Sequence, residues 1–142
     1  MKLLKREAAY EKLVFYQDIC KIRCIIYKLT ERFKKTHMKL VSQMRDSARS
    51  AKQNIREGYK KGTIGEFIRG IIISLGSLEE LGGDVEDCFE DKLIKQEEFD
   101  NLSKLFKSAN YMAGRCLESL YKVKEANTWK VPGKRLLKCN LK

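Results

Sequence analysis

From Phe99 to Val123 the residues Phe99, Leu102, Phe106, Ala109, Ala113, Cys116, Leu120 and Val123 recur at alternating steps of three and four. Only a helix of 3.6 residues per turn gathers that spacing onto one side, so the stretch predicts an amphipathic helix packed along its whole length. Segment two, about Met38 to Lys60, repeats the pattern with Leu40, Met44, Ala48, Ala51, Ile55 and Tyr59, a narrow stripe of mostly small residues. Segment one, about Lys5 to Phe33, carries Ala9, Leu13, Tyr16, Cys20, Tyr27 and Thr30 at helical spacing, with one interruption near Arg23 and Cys24. After Gly62, Thr63-Ile64-Gly65-Glu66 has the form in which a hydroxyl and a carboxylate each satisfy a backbone N–H at a helix start. The third seam then reads Phe67, Ile71, Leu75 or Ser74, Leu78, Leu81, Val85 and Cys88, and predicts a weak point or kink at Gly82-Gly83.

The one proline, Pro132, lies near the end of the 142 residues, so the frequent turns of an all-β domain are missing. Four helices of about 20 to 29 residues with short connections predict an all-α protein, an antiparallel up-down four-helix bundle over residues 1–126. Residues 127–142 hold Pro132-Gly133, five basic residues and no acid, and are expected to form a flexible basic tail. Nothing in the sequence has the apolar length of a signal-peptide core or a membrane span. The five cysteines are odd in number and lack tight paired spacing, which fits a reducing cytoplasm rather than a disulfide framework.

The 30 Lys and Arg against 19 Asp and Glu give a formal net charge of +11, and the charge is segregated. Residues 1–72 carry 18 basic and 7 acidic side chains, residues 76–100 carry 2 and 10, and residues 101–142 carry 10 and 2. Within segment two, Arg45, Arg49, Lys52, Arg56 and Lys60 fall at steps of four, three, four and four, one continuous stripe beside the apolar one. Such a row suits a phosphate backbone, and Lys130, Lys134 and Arg135 of the tail add further cations.

Catalytic readings find little footing. The one histidine, His37, falls in a loop, so neither a Ser-His-Asp triad nor a Cys-His pair can be nominated. The acidic stretch from Glu79 to Asp91 lacks the Glu-x-x-His pairs of a bundle di-iron site. Cys20 and Cys24 have no second pair for zinc and read as small core residues. Gly58, Gly62 and Gly65 match no phosphate-cradle motif and read as turn glycines. Trp129 and the scattered tyrosines form no stacking platform. No cofactor, metal or catalytic residue is expected.

Ser42-Gln43-Met44-Arg45 with Ala48-Arg49-Ser50, then Asn54-Ile55-Arg56-Glu57-Gly58, Glu66-Phe67-Ile68-Arg69 and Gly76-Ser77-Leu78-Glu79-Glu80-Leu81 resembles the bacterial 23S rRNA intervening-sequence proteins. Members typically show Ser-Gln-apolar-Arg-Arg-Ala-Ala-x-Ser, Asn-Ile-Ala-Glu-Gly, Glu-Phe-x-Arg-Phe-Leu and Gly-Ser-Leu-x-Glu-Leu in that order. The resemblance implies an up-down bundle. Through more distant relatives such as the accessory variability protein (Avd) of diversity-generating retroelements, it also implies a homo-oligomer, a pentamer by likeness. Of the matching positions, Asn54, Glu57, Gly58, Glu66, Arg69, Gly76 and Ser77 read as architectural. Asn54 and Glu57 would bond backbone or a neighbouring Arg, Gly58 would cap helix two, and Gly76-Ser77 would let helices approach closely. Arg49, Lys52 and Arg56 stand where the family has small residues, Asp46 replaces a second Arg, and Gly70 replaces an aromatic.

These observations converge on a non-enzymatic oligomeric bundle that binds nucleic acid, RNA rather than DNA, through the helix-two stripe. The alternative is a protein-interaction adaptor, such as an accessory subunit of a reverse transcriptase.

Overall fold

A computed structural model describes residues 9–127. A 3-10 turn at Ala9–Lys12 leads into α1 (Val14–Thr30), a second turn at Lys35–His37 into α2 (Met38–Lys60), and then follow α3 (Ile64–Glu90) and α4 (Gln96–Ala126). The described residues contain no strand. Each helix packs on its neighbours in sequence and α1 also packs on α4, closing a four-helix ring, with the most extensive contact between α2 and α3. The connections of a few residues enforce antiparallel neighbours. No helix is long and apolar enough to cross a membrane among the described residues.

The boundaries on either side of α3 have local causes. The Thr63 hydroxyl accepts the Glu66 N–H at 3.2 Å and opens α3. The reciprocal half of the expected box is replaced, because the Glu66 carboxylate turns to Lys61 Nζ at 3.4 Å. Gly62, at φ 83°, reverses the chain after α2. After α3 the same left-handed step falls on Lys92, at φ 60°. The Leu93 N–H bonds Cys88 O at 2.8 Å and the Lys92 N–H bonds Phe89 O at 3.1 Å, satisfying two carbonyls of the last turn.

The core runs the length of the bundle, from Phe15, Ile19, Ile22 and Ile26 on α1 to Leu102, Ala109, Ala113 and Leu120 on α4. The expected seams of α2 and α3 are buried except at Leu40 and Leu75, which are half-buried, with Ser74 taking the inner position. Segment one differs from its reading. Its α-helix is shorter, Val14–Thr30, and its buried face is Phe15, Tyr16, Ile19, Ile22, Ile26, Leu29 and Thr30. Ala9 and Cys24 are exposed while Leu13, Cys20 and Tyr27 are only half-buried. The Phe, Ile and Leu side chains of Phe15, Ile19, Ile22, Ile26 and Leu29 capture the interior and turn Cys24 and part of Tyr27 outward. α3 continues as a helix through Gly82-Gly83.

Gly58 is not a helix cap. It lies buried within α2 against Gly70 of α3, where a Cβ would meet the Glu66 carbonyl oxygen at 2.6 Å. Gly76 is exposed, and a Cβ there would meet nothing within 4 Å, so it serves no close approach between these helices. The expected tail beyond Asn127, with Lys130, Lys134 and Arg135, lies outside the described residues.

Candidate nucleic-acid interface

The five cations of α2 lie along the flank that α2 shares with α1, and their environments differ. Arg45 is half-buried. Its Nε donates to Thr30 Oγ1 at 3.0 Å and its Nη2 to the Tyr27 carbonyl at 3.3 Å. The Thr30 hydroxyl in turn donates to the Ile26 carbonyl at 2.7 Å. A guanidinium therefore closes the carboxyl end of α1, where free carbonyls and the helix dipole favour positive charge. The Arg45 guanidinium stands 4.9 Å from the Tyr27 ring centroid and that of Arg23 stands 4.6 Å from it, so one phenol gathers two cations.

Farther along, Arg56 lies beside the hydroxyls of Tyr16 and Tyr10. Burial works against its charge, but the two phenols outweigh it and hold the guanidinium more firmly protonated than usual. The Tyr16 phenol is pushed up to about 12, by burial first and then by Cys20, with Arg56 opposing. Tyr10 packs edge-on to Tyr16 at 5.0 Å and on Tyr59 at 5.1 Å, and Tyr59 meets Phe67 at 5.3 Å. These rings brace the end of the bundle where the α2 stripe finishes.

Arg49 and Lys60 are exposed and Lys52 half-buried. Among the described residues the side chains of these three enter no hydrogen bond or ion pair. Burial raises the Cys20 thiol and the nearby Lys52 ammonium pulls it back down. Asp46 and Glu57 are exposed and neutralise none of the five. The stripe is thus two arginines anchored to α1 with three cations around them that no described residue claims. From position 45 to position 60 it measures about 22 Å at 1.5 Å per residue.

The structural motif residues serve the α2–α3 seam or remain open. Asn54 Nδ2 donates to Ser50 O at 2.8 Å and to Ser50 Oγ at 3.0 Å, and the Ser50 and Ser77 hydroxyls meet at 3.0 Å. Ser74 Oγ donates to the Ala51 carbonyl at 2.6 Å. Glu57 and Arg69 are exposed. On the far side, Glu79, Glu80, Glu86, Asp87, Glu90 and Asp91 are exposed, while Asp84 accepts from Gln43 Nε2 at 3.1 Å. Among the described residues no group of three or more His, Cys, Asp and Glu side chains could hold a metal ion. The thiol of Cys88, buried among these acids, is raised to about 11 by desolvation first and by Asp84, Asp91 and Asp87 next.

Two ties escaped sequence reasoning. Asp18 is buried on α1 and accepts from Ser108 Oγ of α4 at 2.6 Å. Arg32 binds both Glu98 oxygens and donates to the Leu93 carbonyl at 3.2 Å, joining the end of α1 to the start of α4. An Asp in the middle of the apolar run of α1 was the available signal for the first; the second carries no local signal.

A four-helix bundle with a bonded α2–α3 seam defines the class. The family model for the 23S rRNA-intervening sequence protein matches residues 11–115, and the chain belongs to that family. No curated protein matches it.

Proposed function

We infer that the protein is a non-enzymatic RNA-binding bundle. The observation that carries this reading is the row of cations on α2, in which Arg49, Lys52 and Lys60 have no acidic partner among the described residues. These three take phosphate oxygens directly. Arg45 and Arg56 are held in place by α1 and turn their remaining N–H groups to the same strand. Binding is driven by the release of counterions condensed on the polyanion, with no base readout. The family's description refers to an rRNA intervening sequence, and this favours RNA over DNA.

Fluorescence anisotropy of a labelled structured RNA, titrated at two salt concentrations with wild type and with the triple variant Arg49→Glu, Lys52→Glu, Lys60→Glu, tests the reading. Wild type should bind with a logarithmic salt slope of magnitude about 0.7 to 0.9 per phosphate neutralised, and the folded variant should lose most of that affinity. Equal binding by both proteins, or none by either, sinks it; the second result hands the charge to a protein partner.

A further inference from the structure

Between α3 and α4 runs a groove of about 510 Å³. Its floor is apolar, with Leu78 and Val85 buried and Phe99 and Phe106 half-buried. Glu79 and Glu86 stand exposed on its α3 rim and Lys107 on its α4 rim. Gly82 and Gly83, which have no side chains, keep the α3 wall low, and the space a Cβ would enter there is open. The surrounding stretch, residues 76–100, has ten acidic side chains and two basic ones.

The chain carries its own complement. Residues 128–142 include Lys130, Lys134, Arg135, Lys138 and Lys142, no acid, and the apolar side chains Val131, Leu136, Leu137 and Leu141. The segment departs from Asn127, whose left-handed backbone (φ 56°, ψ 41°) turns the chain off the α4 axis. Position 103 of α4, in the groove, lies about 36 Å back along the helix at 1.5 Å per residue. The twelve residues from Asn127 to Cys139 span about 40 Å when extended. Charge, apolar content and reach therefore agree.

We propose that the α3–α4 groove is a docking site for the carboxy-terminal segment of the same chain, with Leu136, Leu137 and Leu141 covering Phe99 and Phe106 and the basic side chains meeting Glu79 and Glu86.

The test is disulfide trapping in the full chain. Ser103→Cys places a thiol of nearly the same size in the groove, and Lys104→Cys places one at the same height on the exposed face of α4. Both are made in a Cys24→Ser background, which removes the exposed competing thiol. Circular dichroism checks each fold. Under mild oxidation, peptide mapping should find position 103 joined to Cys139 within one chain about tenfold more often than position 104, as a docked segment raises the local thiol concentration. Adding Glu79→Lys and Glu86→Lys should abolish that preference. Equal trapping at 103 and 104, a preference that survives the charge reversal, or bridges formed only between two chains would each overturn the proposal.

Discussion

Gly58 of α2 and Gly70 of α3 meet backbone to backbone: a Cβ built on Gly70 would stand 3.1 Å from the Gly58 Cα and 2.4 Å from the Asn54 carbonyl oxygen. Neither neighbour is a side chain that could swing aside. Gly70→Ala must therefore push α2 and α3 apart, at an expected cost of about 2 to 3 kcal/mol. Gly76→Ala, in the same helix but with nothing within 4 Å of its Cβ, should instead stabilise by about 0.5 to 1 kcal/mol. Urea unfolding of the two variants measures both, and a Gly70→Ala protein as stable as wild type would disprove the close crossing.

Within the cationic stripe, structure and binding separate. Arg45 is bonded to Thr30 and Tyr27 and closes α1, so Arg45→Ala should lose about 1 to 2 kcal/mol of stability. Arg49 has no such partner among the described residues, and Arg49→Ala should change stability by no more than about 0.5 kcal/mol. RNA affinity should fall for Arg49→Ala by counterion loss alone. Thermal unfolding paired with anisotropy distinguishes the two, and equal destabilisation would contradict the anchoring role.

Asp18, buried on α1, and the half-buried Ser108 join α1 to α4 through a 2.6 Å hydrogen bond. Ser108→Ala leaves the Asp18 oxygen facing a core without its donor and should destabilise by about 1 to 3 kcal/mol. The double change Asp18→Ala with Ser108→Ala should cost less than the sum of the single ones, which a double-mutant cycle reads directly.

Acid should weaken the molecule at the Arg32–Glu98 junction. The bidentate Arg32 contact first, then the Lys95 N–H, outweigh burial and lower the Glu98 carboxyl from 4.5 to about 2. A depressed carboxylate stabilises the fold above its unfolded value, and that contribution fades as pH falls from about 4.5 toward 2. Because the Arg32 side chain is 45% exposed, the effect is modest. Melting temperature measured against pH should be less steep in that window for Glu98→Gln than for wild type; superimposable profiles would remove the junction from the acid response.

Much of the architecture was readable because periodicity is a local property. The α2, α3 and α4 seams could be traced from spacing, and Gly62 announced the turn before α3. Lys92 announced nothing, although it takes the same left-handed step, because only the folded surroundings hold a lysine there. On α1, Ile and Cys occur around so much of the circumference that spacing admits more than one inner face, and the purely apolar Ile, Leu and Phe side chains took it. The stripe from Arg45 to Lys60 was visible for the same periodic reason. Its division into anchored and unclaimed cations was not, since Tyr27, Thr30 and Tyr16 come from another helix. Gly58 invited a cap reading because glycine commonly ends helices; its true neighbour, Gly70, is defined by tertiary packing.

The hydroxyl-lined seam between α2 and α3 also sets how the protein answers temperature. Ser50 on Ser77, Ser74 on Ala51 and glycine on glycine bury backbone and polar area rather than large apolar side chains. Exposing polar area lowers the heat capacity of unfolding while exposing apolar area raises it. The curvature of stability with temperature therefore comes from the large apolar side chains of the shared core, among them Phe15, Ile22 and Ile26 on α1, Met44 and Ile55 on α2, Phe67, Ile71, Leu78 and Leu81 on α3, and Leu102 on α4. On cooling, the hold of that shared apolar core slackens, while the hydroxyl and glycine contacts between α2 and α3 lose little of theirs.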